Sequence, residues 1–252
     1  MARIDAIYRY PVKGFTPERL AQVTLAKGAT LPLDRAYAVE NGPSRFDPQQ
    51  PQYFPKTRFL ELMRNARLAA LRTSLDEATH VMTIHYEKRE AARGDLRTAE
   101  GRALIERFLA EYCADELRGP PRVLHAPGHS FSDVSKKVAS IINLTSVAEI
   151  EDAAGAQVDP LRFRGNLYVA GWPAWHEFSL LGSEIAVGPK ARLKVVKRIV
   201  RCAATEVDPQ TAIRDLPIPR VLMDTYQHAD CGIYAEVVEG GPIAAGDAIE
   251  AS

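Results

Sequence analysis

Glycine and proline cut this chain into short runs. Sixteen glycines and seventeen prolines are spread along 252 residues, and between them apolar and polar side chains often alternate. A period of two marks a strand with one buried face, and such frequent breakers leave little room for long helices. Leu20-Gln22-Thr24 alternates with Ala21-Val23-Leu25, and Val81-Thr83-His85 with Met82-Ile84-Tyr86. Further strands are expected at Arg3 to Tyr10, Ala36 to Val39, Arg67 to Leu71, Val123 to His125 and Ala139 to Leu144. In the second half they are expected at Leu167 to Ala170, Ser183 to Val187, Arg192 to Val200, Gly232 to Val238 and Ala248 to Glu250. Three segments read as helix. Phe59 to Met63 is one. Thr98 to Cys113 carries an apolar stripe at Leu104, Ile105, Phe108, Leu109 and Tyr112, with Thr98 as N-cap. The third starts at Ser146, which forms a capping box with Glu149, and ends at Gly155. Three prolines and three glutamines make Phe46 to Pro55 an exposed loop, 128–137 is a second loop, and Thr205 to Pro219 has turn chemistry. The fold class is therefore mainly β (α+β), built from barrels rather than an alternating α/β sheet. Gly119-Pro120-Pro121 divides it into residues 1–120 and 121–252.

Apolar residues make up 46% of the chain, enough for a substantial core. Lysine plus arginine balances aspartate plus glutamate at 32 each, so no bulk field points to nucleic acid or a membrane as partner. There is no glycine-rich phosphate loop after a strand, no Gly-x-Ser-x-Gly and no internal repeat. The cysteines, Cys113, Cys202 and Cys231, are odd in number and lack Cys-x-x-Cys spacing, which argues against a disulfide framework or a structural zinc site. With no apolar signal core at the N-terminus, the expected setting is cytoplasmic and reducing.

Chemistry concentrates at Lys197 to Pro209. Cys202 directly follows Arg201 at the end of a β-patterned run. A thiol beside a fixed cation can hold its thiolate near neutral pH and serve as a nucleophile or a soft-metal ligand; the alternative is a small core residue. Cys113 reads as core filler at a helix end, Trp172 and Trp175 as packing residues, and His85, His125 and His129 as solvated or loop histidines. Lys13, Arg35, Arg164 and Arg201 lie at strand ends or turns, where each is either solvated or aimed into a cleft to grip an anion. Asn166 sits at the mouth of a strand two residues after Arg164. Asp208 is either a turn cap or a proton-handling group.

The C-terminal half resembles a MOSC domain, the module named after the C-terminal part of molybdenum cofactor sulfurases. The resemblance rests on Arg162-Phe163-Arg164-Gly165-Asn166-Leu167, Arg201-Cys202, Thr205 to Thr211, Gly232-Ile233-Tyr234, Gly241-Pro242-Ile243 and Gly246-Asp247. Tyr10-Pro11-Val12-Lys13 and Asp34-Arg35 resemble the β-barrel that often precedes that module. Characterised proteins of this kind include the amidoxime-reducing component of mitochondria and its bacterial counterparts. The resemblance implies an N-terminal β-barrel-like subdomain packed on a MOSC β-barrel, with the molybdenum cofactor (Mo-molybdopterin) between them. It also implies that Cys202 ligates molybdenum and that Lys13, Arg35, Thr145, Ser146, Arg164, Asn166, Arg201 and Tyr234 line the pterin and phosphate.

The implied activity is an oxidoreductase acting on small N-hydroxylated or N-oxide substrates, with Cys202 at the reaction centre and Asp208 as a proton-handling candidate. Electrons are expected from a separate ferredoxin- or flavoprotein-type donor protein. A carrier of the cofactor, or of persulfide sulfur on Cys202, is the alternative. The chain departs from its relatives at Gly14 (often serine), Gly165 (often proline), Ala212 (usually glycine), Val200 (serine in the reductase) and the stretch Phe54-Pro55-Lys56.

Overall fold

The computed structural model describes residues 1–251. The N-terminal half contains β1 (Arg3–Arg9), β2 (Glu18–Leu20), β3 (Gln22–Leu25), β4 (Tyr37–Asn41), β5 (Arg72–Leu75), β6 (Val81–Tyr86), β7 (Arg89–Asp95) and helix α1 (Ala99–Tyr112). The chain continues through β8 (Pro121–His125), β9 (Ala139–Asn143), α2 (Leu144–Ala154), β10 (Leu167–Ala170), α3 (His176–Ser179), β11 (Glu184–Val187) and β12 (Ala191–Val200). It ends with α4 (Ile218–Tyr226), β13 (Asp230–Glu239), β14 (Gly241–Ala244) and β15 (Ile249–Ala251). The protein is mostly strand with a few short helices, as the alternation requires.

The largest sheet is curled and has eight strands in the order β15-β11-β12-β13-β9-β10-β1-β2. Its inward side chains alternate with polar outward ones. In β12, for instance, Ala191, Leu193 and Val195 are buried while Arg192 and Lys194 are exposed. Ile4, Ile7, Ile141, Leu167, Ile185, Leu193 and Ile233 meet in its core. A second core gathers Val39, Leu60, Leu68, Met82, Ile84, Ile105 and Leu109 under α1 and the β5-β6-β7 sheet.

Strand pairing interlocks the two halves. β1 pairs antiparallel with β10, Arg3 opposite Ala170, and so completes the C-terminal sheet. β3 pairs with β14, Leu25 opposite Gly241. β8, just beyond Gly119-Pro120, pairs back onto β4, Tyr37 opposite His125.

Several local expectations change. Phe59 to Met63 is not a helix: Phe59 bridges to Glu40, and the single helical turn lies earlier, at Lys56–Arg58. Arg67 to Leu71 is mostly the 3-10 turn Ala66–Ala70, and the strand begins at Arg72. Strand β7 is new; its sequence, Arg-Glu-Ala-Ala-Arg-Gly-Asp, lacks β-branched residues because most of it faces solvent. Helix α4 occupies part of the turn-rich stretch, since a proline in its first turn starts a helix as readily as it ends one. Thr98 caps α1 as expected, accepting from the Gly101 N–H at 3.0 Å. Helix α2 is capped by Asn143, not Ser146, with the Thr145 N–H donating to Asn143 Oδ1 at 3.1 Å. No helix among the described residues is long and apolar enough to cross a membrane.

Candidate functional site

Loops and strand ends from both halves converge on one cleft. The turn after β1 contributes Lys13, and the segment before β4 contributes Arg35. The turn before β10 contributes Arg164 and Asn166. The end of β12 contributes Arg201 and Cys202, and β13 contributes Tyr234. Seven of the residues singled out from the sequence thus line a common wall.

The three thiols separate clearly. Cys113 and Cys231 are fully buried, and burial pushes their thiols up to about 11 and about 12 respectively. Cys202 is half-buried, in extended backbone where β12 ends and the 3-10 turn Ala203–Glu206 begins. Its carbonyl accepts from the Thr205 N–H at 3.0 Å and hydroxyl at 2.9 Å. Arg162 braces this turn from behind. It donates to the Glu206 carbonyl at 3.1 Å and forms a two-point pair with Asp215, both bonds 2.8 Å.

The cation beside the thiol is not Arg201. The Arg201 guanidinium is held by backbone carbonyls, Nε on Cys231 at 2.7 Å and Nη1 on Phe163 at 2.8 Å, with the Phe163 ring beneath it. Lys56 takes the place expected for it, and its Nζ donates to Cys202 Sγ at 3.0 Å. Burial pulls the Lys56 ammonium down, but Asp133 and the thiol more than offset this, and its pKa is raised. The sequence marks Lys56 only as part of Phe54-Pro55-Lys56, a departure from the relatives, and assigns it no role because it follows a proline-rich loop that reads as exposed.

Arg35 and Arg164 form a second unit around Tyr10. Both guanidiniums pack on the fully buried Tyr10 ring, Arg35 at 4.5 Å and Arg164 at 4.3 Å from its centroid. Both arginines have left-handed backbone, φ 50° and 51°. Non-glycine residues hold that conformation at a cost of about 1–3 kcal/mol, and such strain clusters at binding sites. Asp34 pairs with Arg35 at 2.5 Å and accepts from the Tyr10 N–H at 2.9 Å.

Lys13 is buried and donates to the Phe131 carbonyl at 2.9 Å and to Asp133. Burial lowers its pKa, with Asp133 acting in the opposite direction. The Asp133 side chain is nearly half exposed; partial desolvation pushes its carboxyl up, yet Lys13 and Lys56 hold it well below the usual carboxylate range. Glu61 also lines the cleft. It is buried, burial raises its pKa, and one carboxyl oxygen has no hydrogen-bond partner.

Asn166 lines the cleft but stitches the sheet. Its Oδ1 accepts from Ser140 N at 3.0 Å and Oγ at 2.8 Å, and its Nδ2 donates to the Tyr8 carbonyl at 3.1 Å. Gly165 has no room for the relatives' proline, because a Cβ there would lie 2.3 Å from Ile142 Cγ1. Tyr234 is half-buried, and burial raises its pKa.

Three singled-out residues lie outside the cleft lining. Thr145 is exposed. Ser146 is buried, accepting from the Trp175 N–H at 2.8 Å and donating to Glu177 at 3.0 Å. Asp208 caps its own turn, accepting from the Gln210 and Thr211 N–H groups at 2.8 and 2.7 Å, and pairs with Arg162 at 3.0 Å.

Among the described residues no group of three or more His, Cys, Asp or Glu side chains is placed to hold a metal ion. The cleft offers one thiol and many cations. Such a donor set suits a group that brings further soft ligands and an anionic tail of its own.

No curated protein matches the chain at a significant level. Over its full length the chain aligns with the crystal structure of YuaD from Bacillus subtilis, at 15% identity and a TM-score of 0.45, covering 99% of this chain and 94% of that one. A shorter alignment is with YiiM from Geobacillus stearothermophilus, at 18% identity and a TM-score of 0.36, covering 45% of this chain and 53% of that one. The MOSC N-terminal beta barrel domain matches residues 1–115 and the MOSC domain matches residues 126–250. The chain belongs to the MOSC family, with an N-terminal barrel domain followed by the MOSC domain.

Proposed function

We propose that this protein binds the molybdenum cofactor in the cleft and acts as an oxidoreductase on small N-hydroxylated or N-oxide compounds. The observation that carries this reading is the single accessible thiol, Cys202, in a cleft walled by Lys13, Arg35, Lys56, Arg164 and Arg201. Cys202 would ligate the metal. Arg35 and Arg164, stiffened by the Tyr10 ring they share, would hold the anionic pterin tail together with Lys13. Tyr234 would close the side of the site formed by β13.

The bound group supplies the two-electron chemistry that removes the oxygen atom from nitrogen. The overall reaction takes an N–OH compound, two electrons and two protons to the N–H compound and water. The electrons come from a separate donor protein. The chain's own residues hold the cofactor and bind the substrate. Arg162 keeps the 203–206 turn, and with it Cys202, in one position.

The test is to purify the protein from a host that makes the cofactor. Molybdenum is then measured by elemental analysis, and pterin by fluorescence after oxidation. Near-stoichiometric cofactor, reduction of an amidoxime with reduced donor protein, and loss of both in Cys202→Ala are expected. Cofactor without turnover, or a persulfide on Cys202 by mass spectrometry, would assign the carrier role instead. Absence of cofactor and persulfide alike would overturn both.

A further inference from the structure

The geometry points to Lys56 as the residue that sets substrate class, by making the space at Cys202 selective for small anions. This inference rests on the proposed reading for its substrate chemistry: the preferred compound carries negative charge at or beside the oxygen to be removed.

Cys202 Sγ marks the reacting end of the cleft, and Lys56 Nζ lies 3.0 Å from it. Lys56 is carried there by the 3-10 turn Lys56–Arg58, fixed by the Arg58 and Phe59 N–H groups on the Pro55 and Lys56 carbonyls, each at 3.0 Å. Phe59 then bridges to Glu40 of β4, so the turn is anchored to the N-terminal sheet. Among the other cations of the cleft, Arg35 is engaged with Asp34, Arg164 with the Phe15 carbonyl, Arg201 with carbonyls and Lys13 with Asp133 and Phe131.

The charge of Lys56 is not cancelled by a direct carboxylate partner. Asp133 pairs with Lys13, and the Glu61 carboxyl accepts from the Met63 N–H at 2.8 Å instead. An ammonium has three donors, and the thiol occupies one. The remaining donors and the charge favour an approaching anion over a neutral compound of the same shape.

The test uses two small reagents that attack the same thiolate, anionic iodoacetate and neutral iodoacetamide. Their rate ratio cancels the thiolate fraction, which is common to both. The full-length protein is produced in a host that makes no molybdenum cofactor, and labelling at Cys202 is followed by peptide mass spectrometry. Cys113 and Cys231 are buried and act as internal reporters of folding.

Lys56→Met is expected to lower the iodoacetate-to-iodoacetamide ratio by about fivefold, the factor a unit charge exerts at a few ångströms through water. Lys56→Arg, which keeps the charge, is expected to hold the ratio near that of the unaltered protein. An unchanged ratio in Lys56→Met would overturn the inference. If that variant labels Cys113 or Cys231, and so has unfolded, Lys56→Gln carries the same test. In cofactor-loaded protein, Lys56→Met should raise KM for a carboxylate-bearing N-oxide more than it raises KM for a neutral amidoxime; equal rises in both would also overturn it. Because the labelling ratio needs no cofactor, it stands or falls separately from the molybdenum reading.

Discussion

Arg35 donates from Nη2 to the backbone carbonyl of Arg164 at 2.9 Å, so one member of this cationic pair holds the backbone of the other. Both guanidiniums pack on the Tyr10 ring. Both thus rest on an aromatic ring that is fully buried and does not itself line the cleft.

Tyr10→Leu removes both ring contacts and leaves a smaller side chain in a fully buried place. A loss of about 2 kcal/mol in unfolding free energy is expected from the two cation–π contacts and the altered packing. Looser arginines should also let bound molybdenum escape on dialysis. Tyr10→Phe retains the ring and should retain the metal. Urea titration and elemental analysis of both variants check this, and equal molybdenum retention in the two would rule out the positioning role.

Ala212 carries a left-handed backbone, φ 60°, where relatives have glycine. An L-residue held there costs about 1–2 kcal/mol, and glycine returns part of that gain through its larger unfolded-state entropy. Ala212→Gly should therefore raise stability by about 0.5–1 kcal/mol. The denaturant midpoint reports this directly, and a midpoint at or below that of the unaltered protein would contradict it.

The fold was legible because alternation survives wherever a strand buries one face, as in β6 and β12. It failed where no face is buried: most of β7 lies in solvent, and nothing forces apolar residues into every second place. It failed again at α4, where two prolines near the helix start read equally well as a turn. In the cleft, Arg35, Arg164 and Cys202 were visible at strand ends. Lys56 was not, because its role depends on a contact with a residue 146 positions away. Arg201 was assigned to the thiol by adjacency, but neighbouring residues in extended chain point to opposite faces. Ser146 looked like a helix cap, yet Asn143, three residues earlier, already filled that position.

Gly14 illustrates how a departure from the relatives can be structural. Its φ is 84°, and a Cβ there would lie 2.7 Å from the Leu60 carbonyl oxygen. The close approach brings the backbone of Glu61 against the Lys13 turn. Gly14→Ser, the residue common in relatives, should cost about 2 kcal/mol from backbone strain and collision together. For a chain of this length that is a fall of about 4–8 °C in Tm. A thermal melt unchanged within error would show that the 60–61 segment gives way easily.

Glu177 sets a pH dependence away from the cleft. It is fully buried on α3 and accepts from Asn143 Nδ2 at 2.8 Å and Ser146 Oγ at 3.0 Å. Burial raises its pKa, and the hydrogen bonds only partly counter this. In the unfolded chain the same carboxyl titrates near the ordinary glutamate value of about 4.3. Between that value and the raised folded one, the native state keeps a proton that the unfolded state has released. Stability from this group is therefore full below the unfolded value and declines as pH rises through the folded one. Glu177→Gln keeps the acceptor for Asn143 and Ser146 but cannot ionise. Its unfolding free energy should lose that decline, so that its advantage over the unaltered protein grows with pH. Urea titrations at several pH values from the unfolded value upward measure the difference, and parallel pH profiles for the two proteins would show that Glu177 contributes no proton linkage to folding.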